Sequence, residues 1–285
     1  VCGPAAAGAE PAPEGVAAAP GAEDDGIARL VRDLGGSRDA AKAARDRLVQ
    51  IGPPAVPTLV AALQAPDFST RWGAANVLGY LQDKRALMPL VERVLHDPNN
   101  HVRWRSIWAI NQMHGEVSSA ALRGGLTDPD STVRWNAAVA LSTLQDPACM
   151  PVLVEGLHSG SSWVRWEAVN ALGRVHDEKT AQVLLPLLAD PDTRIRQETA
   201  LSLGSLGGET VVAGLIGALA DREPGVRWRA AAALARTGAV RAVAPLTEAV
   251  ANERDSFARR EMEKALDRLR NAPEDPGRPA PAVLP

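Results

Sequence analysis

The chain has 285 residues, 46% hydrophobic and 23% charged, values of a folded globular protein that exclude wholesale disorder. A formal net charge of -3 at pH 7 and a pI near 6.0 argue against a general nucleic-acid binder, which is normally basic. No run of about 18 apolar residues is present to span a membrane.

Residues 1–26 are Ala, Gly, Pro and Glu with almost no large apolar side chain, and are expected to be disordered. Cys2-Gly3 ahead of this spacer resembles the mature start of a bacterial lipoprotein, which makes Cys2 a candidate for lipidation. A residue precedes the cysteine, and a free thiol in a loose terminus fits equally. Two compartments therefore stay open, cytoplasmic or extracytoplasmic with a lipid anchor through Cys2. The only other cysteine, Cys149, lies in an apolar stretch and reads as core, and no CxxC spacing occurs.

Over 27–270 the sequence repeats itself. Arg71, Arg103, Arg134, Arg165, Arg196 and Arg227 are spaced 32, 31, 31, 31 and 31 residues apart. Leu63, Leu95, Leu126, Leu157, Leu188, Leu219 and Val250 hold the same register. Within a repeat, a Val-Arg-Trp segment opens an Ala/Leu-rich run. Val133, Ala137, Ala140, Leu141 and Leu144 fall on one face of a helix. Asp97-Pro98, Asp128-Pro129 and Asp190-Pro191 read as start signals, with Asp as cap and Pro in the first turn. A second apolar helix follows, as in 149–157 and 211–219, with Pro57, Pro89 and Pro151 near its beginning. Each hairpin can bury its apolar face only against its neighbours. The expected fold is therefore all-α, a solenoid of about seven two-helix repeats. The first, around 39–63, lacks the Arg and Trp and reads as an N-terminal cap. Residues 254–269, charged on most faces, read as a C-terminal capping helix, and the Pro-rich 271–285 as a mobile tail.

The pattern D-P-x-x-x-V-R-x-x-A-x-x-A-L, most complete at 128–141, resembles the HEAT-like repeats of the phycobilisome-lyase type. The resemblance implies that the first helix of each repeat lines the concave surface. It implies no single function, because such repeats serve many tasks.

Each first helix can be numbered from its Val. Position two is then the arginine, and Asp83, Asp146 and Asp177 stand at position fourteen. Arginines pairing with these aspartates of a neighbouring repeat would form a structural ladder, as is usual in this repeat type. Position three carries Trp72, Trp104, Trp135, Trp166 and Trp228, broken only by Gln197. It lies nearly opposite the core stripe of positions one, five, eight and twelve, so the indoles are expected in a row along the inner surface. Positions seven and ten share this face and supply Asn76, Trp108, Asn111 and Asn170. Tryptophan is the side chain most enriched at binding hot spots. Asn can bond both polar groups of an extended peptide. Trp72/Asn76 and Trp166/Asn170 are i, i+4 pairs that resemble the peptide-binding array of armadillo-repeat proteins, although the 31-residue unit is not an armadillo unit. Packing between repeats accounts for indoles at this spacing too.

Catalytic signatures are missing. There is no His-x-x-x-His, and no His-Glu of the kind that iron-binding HEAT-repeat hydroxylases use. GxGxxG, P-loop and GxSxG motifs are absent as well. His96, His101, His114, His158 and His176 are scattered, and Glu167 and Glu198 fit a solvated face. The expectation is a non-catalytic scaffold without cofactor or metal. It binds a protein or extended peptide rather than nucleic acid, as a monomer or within a hetero-complex. Two alternatives rest on resemblance alone: a bilin-lyase-like protein holding a small apolar ligand in the same groove, and a HEAT-like DNA glycosylase.

Overall fold

Residues 20–113, 116–175 and 178–271 are described by the computed structural model, and every regular element among them is helical. The helices are α1 (Pro20–Asp33), α2 (Arg38–Ile51), α3 (Val56–Ala62), α4 (Phe68–Leu81), α5 (Leu87–His96), α6 (Asn100–Gln112), α7 (Glu116–Gly124) and α8 (Ser131–Thr143). They continue as α9 (Met150–Leu157), α10 (Ser162–Leu172), α11 (Glu178–Leu184), α12 (Thr193–Leu206), α13 (Glu209–Ala218), α14 (Pro224–Thr237), α15 (Val243–Asn252) and α16 (Ser256–Arg270). Seven antiparallel pairs, α2/α3 through α14/α15, stack between α1 and α16. The chain is an all-α solenoid. α1 begins at Pro20, so residues 20–26, read from sequence as unstructured, open a helix that buries Ile27, Val31 and Leu34 at the N-terminal end of the stack. Cys2 and the rest of 1–19, and the tail 272–285, lie outside the described residues.

The first helices, α4, α6, α8, α10, α12 and α14, form one layer and the second helices the other. α4 lies along α6, α12 along α14 and α14 along α16, in closer contact than neighbouring second helices make. The stack therefore bends toward the first-helix layer, which becomes the inner face. Flanked on both sides, these helices are buried nearly all round. In α8 the stripe Val133, Ala137, Ala140 and Leu141 is buried, and so are Asn136, Ala138, Val139 and Ser142.

The caps fall two residues later than the Asp-Pro pairs suggest. Asn99, Asp130 and Asp192 cap α6, α8 and α12, accepting from the amides of His101, Thr132 and Arg194 at 2.9, 2.7 and 2.8 Å. Asp97, Asp128 and Asp190 instead accept from the amides of Asn99, Asp130 and Asp192 at 2.9, 2.8 and 2.8 Å. An aspartate readily holds a turn two residues ahead of it, so Pro98, Pro129 and Pro191 stiffen that turn rather than the first turn of the helix.

The position-two arginines join the repeats, with different partners from those expected. One terminal nitrogen of each binds the loop entering its own helix: Arg71 the carbonyls of Ala65 and Pro66, both at 2.8 Å, and Arg196 those of Asp190 and Pro191 at 2.9 and 3.3 Å. Arg103, Arg134, Arg165 and Arg227 make the same contact. The rest of the guanidinium reaches the acid in the next repeat's loop: Arg71 to Asp97 at 2.8 Å, Arg165 to Asp190 at 3.3 Å, Arg196 to Asp221 at 2.8 Å and Arg227 to Glu253 at 2.6 Å. Asp83 and Asp146 pair instead with Arg85 and Arg123, at 2.7 and 2.8 Å. Asp177 lies outside the described residues. Side chains on a helix lean toward its N-terminus. A position-two arginine therefore meets the next entry loop, while position fourteen sits at the far end.

Two links in this series are incomplete. Among the described residues no carboxylate pairs with Arg103 or Arg134. Opposite Arg134 the acid is replaced by Ser159, whose hydroxyl holds the turn by accepting from the Ser161 amide at 3.2 Å. The same stretch is where the inner layer loosens. α8 makes only slight contact with α6 and α10 and is set back against α5, where Asn136 Nδ2 donates to the Leu95 carbonyl at 3.0 Å.

Two outcomes are expected. Ser159→Asp supplies the missing acid and raises Tm by about 2–4 °C, for a gain of about 1 kcal/mol; in an Arg134→Gln background the gain disappears, which a double-mutant cycle checks. Glu253, bound by Arg227 through both oxygens at 2.6 Å, has its pKa lowered from 4.5 to about 2 by that hydrogen-bonded pair. The folded chain thus holds the carboxylate that the unfolded chain protonates more easily. The pair's contribution is complete above about 4.5 and is lost as pH falls towards about 2. Thermal melts should show wild type above Glu253→Gln at pH 7, with the gap closing through that window.

Candidate functional site

The five position-three indoles do not form an open row. Trp72, Trp104, Trp135, Trp166 and Trp228 are each half-buried, and all but Trp72 pack against the core, as does Trp108. The wheel that sets position three opposite the core stripe treats a helix as one-sided, whereas these helices have neighbours on both flanks. Trp108 lies on Gly79 of α4 and Trp135 on Gly156 of α9. At either glycine a Cβ would come within 2.4 Å of the ring, so only glycine admits the indole. Trp135 also donates from Nε1 to Glu167 Oε2 at 2.9 Å, and Trp228 meets Phe257 edge to face with centroids 5.9 Å apart.

The exposed indole is one the repeat pattern passes over. Trp163 precedes the Val of its repeat, is 59% exposed, and stacks on Trp166 with centroids 5.2 Å apart and planes at 28°. It stands at the mouth of a cleft between α6 and α8 lined by Trp104, Trp135, Asn136 and Glu167, with Val94 of α5 as its floor. The cleft opens where α8 is set back. On the other side of the Trp163–Trp166 stack a second cleft runs along Gln197, Glu198 and Arg229.

The asparagines singled out by their spacing are held by their neighbours. Asn170 donates to Glu198 Oε1 at 2.9 Å and accepts from Arg174 at 2.5 Å, so both ends of its amide are engaged. Asn111 accepts from Thr143 Oγ1 at 3.5 Å. Asn76 is 5% exposed and accepts from Arg105 Nη1 at 3.2 Å. Positions seven and ten point at the first helix of the next repeat, which is why these amides meet protein before they meet solvent. Trp72 and Asn76 do converge, on Arg105. Its guanidinium lies over the rings of Trp72 and Trp108, 4.5 and 5.0 Å from their centroids. Tyr80 closes the group, with its ring 5.2 Å from that of Trp108.

Position four carries the charge of the inner face, with Arg105, Glu167, Glu198 and Arg229 in successive repeats broken by Asn136. This series is visible in the sequence, yet only the two glutamates stand out there. Burial pushes the guanidiniums of Arg105 and Arg174 below their ordinary pKa, offset at Arg174 by Glu198 and Glu167. Arg174 of the fifth repeat also reaches Trp104 of the third, 5.8 Å from its centroid, so the inner face closes in over α8.

Other reactive groups are inert or dispersed. The Cys149 thiol is buried and, by that burial, pushed up to about 12. Among the described residues no three His, Cys, Asp or Glu side chains come together as a metal site, and no helix is long and apolar enough to cross a membrane. His114 and His176 lie outside the described residues.

A family model described as HEAT repeats matches residues 27–111, 56–142, 119–202 and 182–267. No curated protein matches the chain. Among solved structures the chain is similar to E. coli YibA, with a TM-score of 0.55 and 20% identity over 87% of this chain and 93% of that one. It is similar also to Kap95p in complex with RanGDP, with a TM-score of 0.60 and 15% identity over 85% of this chain and 40% of that one. Kap95 with Nup1 gives a TM-score of 0.61 at 12% identity, over 88% and 42%. At these identities the likeness is one of fold.

The two classes of indole should separate in urea unfolding. Trp135→Ala removes a ring seated on Gly156 and is expected to cost about 3 kcal/mol. Trp163→Ala removes an exposed ring and should cost less than about 1 kcal/mol.

Proposed function

The chain belongs to the HEAT-repeat family, and from that premise we propose that it is a non-catalytic scaffold binding a protein, through an extended segment, on its inner face. The contact centre is the Trp163–Trp166 stack with the cleft of Trp104 and Trp135. Trp72, Trp108 and Trp228 flank it with Asn76, Asn111 and Asn170, whose part is to hold neighbouring side chains in place.

The observation that carries this reading is the exposure of Trp163. The position-three indoles of the inner layer are packed, whereas this one stands clear of the surface against a second indole. An exposed indole stacked on a half-buried one is unfavourable in water unless something covers it. Tryptophan buries a large area at low cost in side-chain entropy, which suits it to anchoring a partner. The neighbouring cleft, walled by Trp104 and Trp135 beside Glu167, is a slot for a partner side chain. The same fold holds protein partners in the Kap95 complexes with RanGDP and Nup1, which agrees with a scaffold that binds protein.

The test is a selection of random twelve-residue peptides displayed against the full chain. Selected peptides should bind Trp163→Ala on the order of 10-fold or more weakly, by titration of proteins whose melts coincide. Peptides that bind wild type and Trp163→Ala equally would move the binding surface away from this stack.

A further inference from the structure

Arg105 is a cation without a counter-ion. Its guanidinium lies over the rings of Trp72 and Trp108, 4.5 and 5.0 Å from their centroids, and one nitrogen donates to Asn76 Oδ1 at 3.2 Å. Among the described residues no carboxylate comes within ion-pair distance of it, whereas Arg71, Arg165, Arg196 and Arg227 each have one. Arg174 has Glu198 and Glu167 nearby. Arg105 is also positioned before anything binds. Trp108 is seated on Gly79 and braced by Tyr80, and Trp72 belongs to the adjacent helix α4, so the guanidinium rests on rings of two packed helices. Asn76 Nδ2, beside it, has no hydrogen-bond partner among the described residues.

We propose that Arg105 is the anchor for an acidic side chain, Asp or Glu, of the extended segment that the inner face binds; this rests on the scaffold reading given above. With only Nη1 engaged, by Asn76, the guanidinium keeps other N–H groups to bond with, and an edge with two parallel N–H groups matches the two oxygens of a carboxylate. The amide of Asn76 adds a donor at the same place. A phosphate would ordinarily draw several arginines, and here there is one. The inner face continues on both sides of Arg105, toward α4 and toward the Trp104 cleft. The segment therefore passes across the site, and the carboxylate belongs to a side chain rather than to a chain end. The aromatic walls exclude water from the pair and strengthen it.

The selected twelve-residue peptides test this in their own sequences. Those bound by wild type should carry Asp or Glu at a constant offset from an apolar residue, and a Glu→Gln swap there should weaken binding on the order of 30-fold. That swap leaves the protein untouched, so its outcome does not depend on how a variant folds. Arg105→Gln should give a similar loss with no added effect of the peptide swap, and selection against Arg105→Glu should return Lys or Arg at that offset. Peptides weakened by Trp163→Ala but indifferent to Glu→Gln and to Arg105→Gln would overturn the acidic anchor and leave the scaffold standing. A preference confined to peptides with a free C-terminal carboxylate would overturn the side-chain assignment. Selection of no peptide at all would overturn both readings.

Discussion

One guanidinium per repeat does two jobs in this solenoid. A hairpin of two short helices cannot bury its apolar face alone, and its entry loop carries carbonyls that no helix satisfies. The position-two arginine bonds those carbonyls and, from the same planar group, reaches the acid in the next loop. That acid in turn accepts from a backbone amide two residues on, as Asp97 does from Asn99. Loop, helix and neighbouring repeat are thus set by one connected group of hydrogen bonds. Arg71 and Asp97 have side chains only 8% and 0% exposed, and burying such charges is tolerable because nearly every donor and acceptor is used.

The regularity of this linkage makes its interruption informative. Where Arg103 and Arg134 make no ion pair among the described residues, α8 is set back from its inner neighbours, and the cleft of Trp104, Trp135 and Trp163 lies in the space that results. The inner layer is continuous toward both ends, through α4–α6 and α12–α14–α16. The cleft and a weakened inter-repeat link thus coincide in the middle of the stack. The surface that a partner would enter is obtained by relaxing the contact that builds the rest.

Electrostatics along the inner face are uneven for a related reason. Arg71, Arg165, Arg196 and Arg227, committed to loops, are each paired with an acid within the structure. The other charges of the inner face sit at position four, where Glu167 and Glu198 lie near Arg174 while Arg105 has aromatic rings beside it instead of an acid. The aromatic content serves two ends. Trp108 and Trp135 fill space over Gly79 and Gly156, and Trp163 with Trp166 faces outward.

The architecture was legible in the residues themselves. A 31-residue spacing held in two registers, apolar residues at helical intervals and the Asp-Pro and Arg signals specify stacked helical pairs, because these are properties of local backbone and of a face that must be buried. Which neighbour each side chain meets was decided by the tertiary structure. The arginines bond the next entry loop rather than Asp83 or Asp146, since a side chain near a helix start leans toward that end. The position-three tryptophans are half-buried because the rotation between repeats brings another helix against their flank, and a wheel drawn for one helix contains no such neighbour. Trp163 and Arg105 were overlooked because the first stands outside the repeat register and the second matters through Trp72 and Asn76 on a different helix. Periodicity encodes the stack; the angle and gap between successive repeats, which no spacing records, decide which side chains pack and which face a partner.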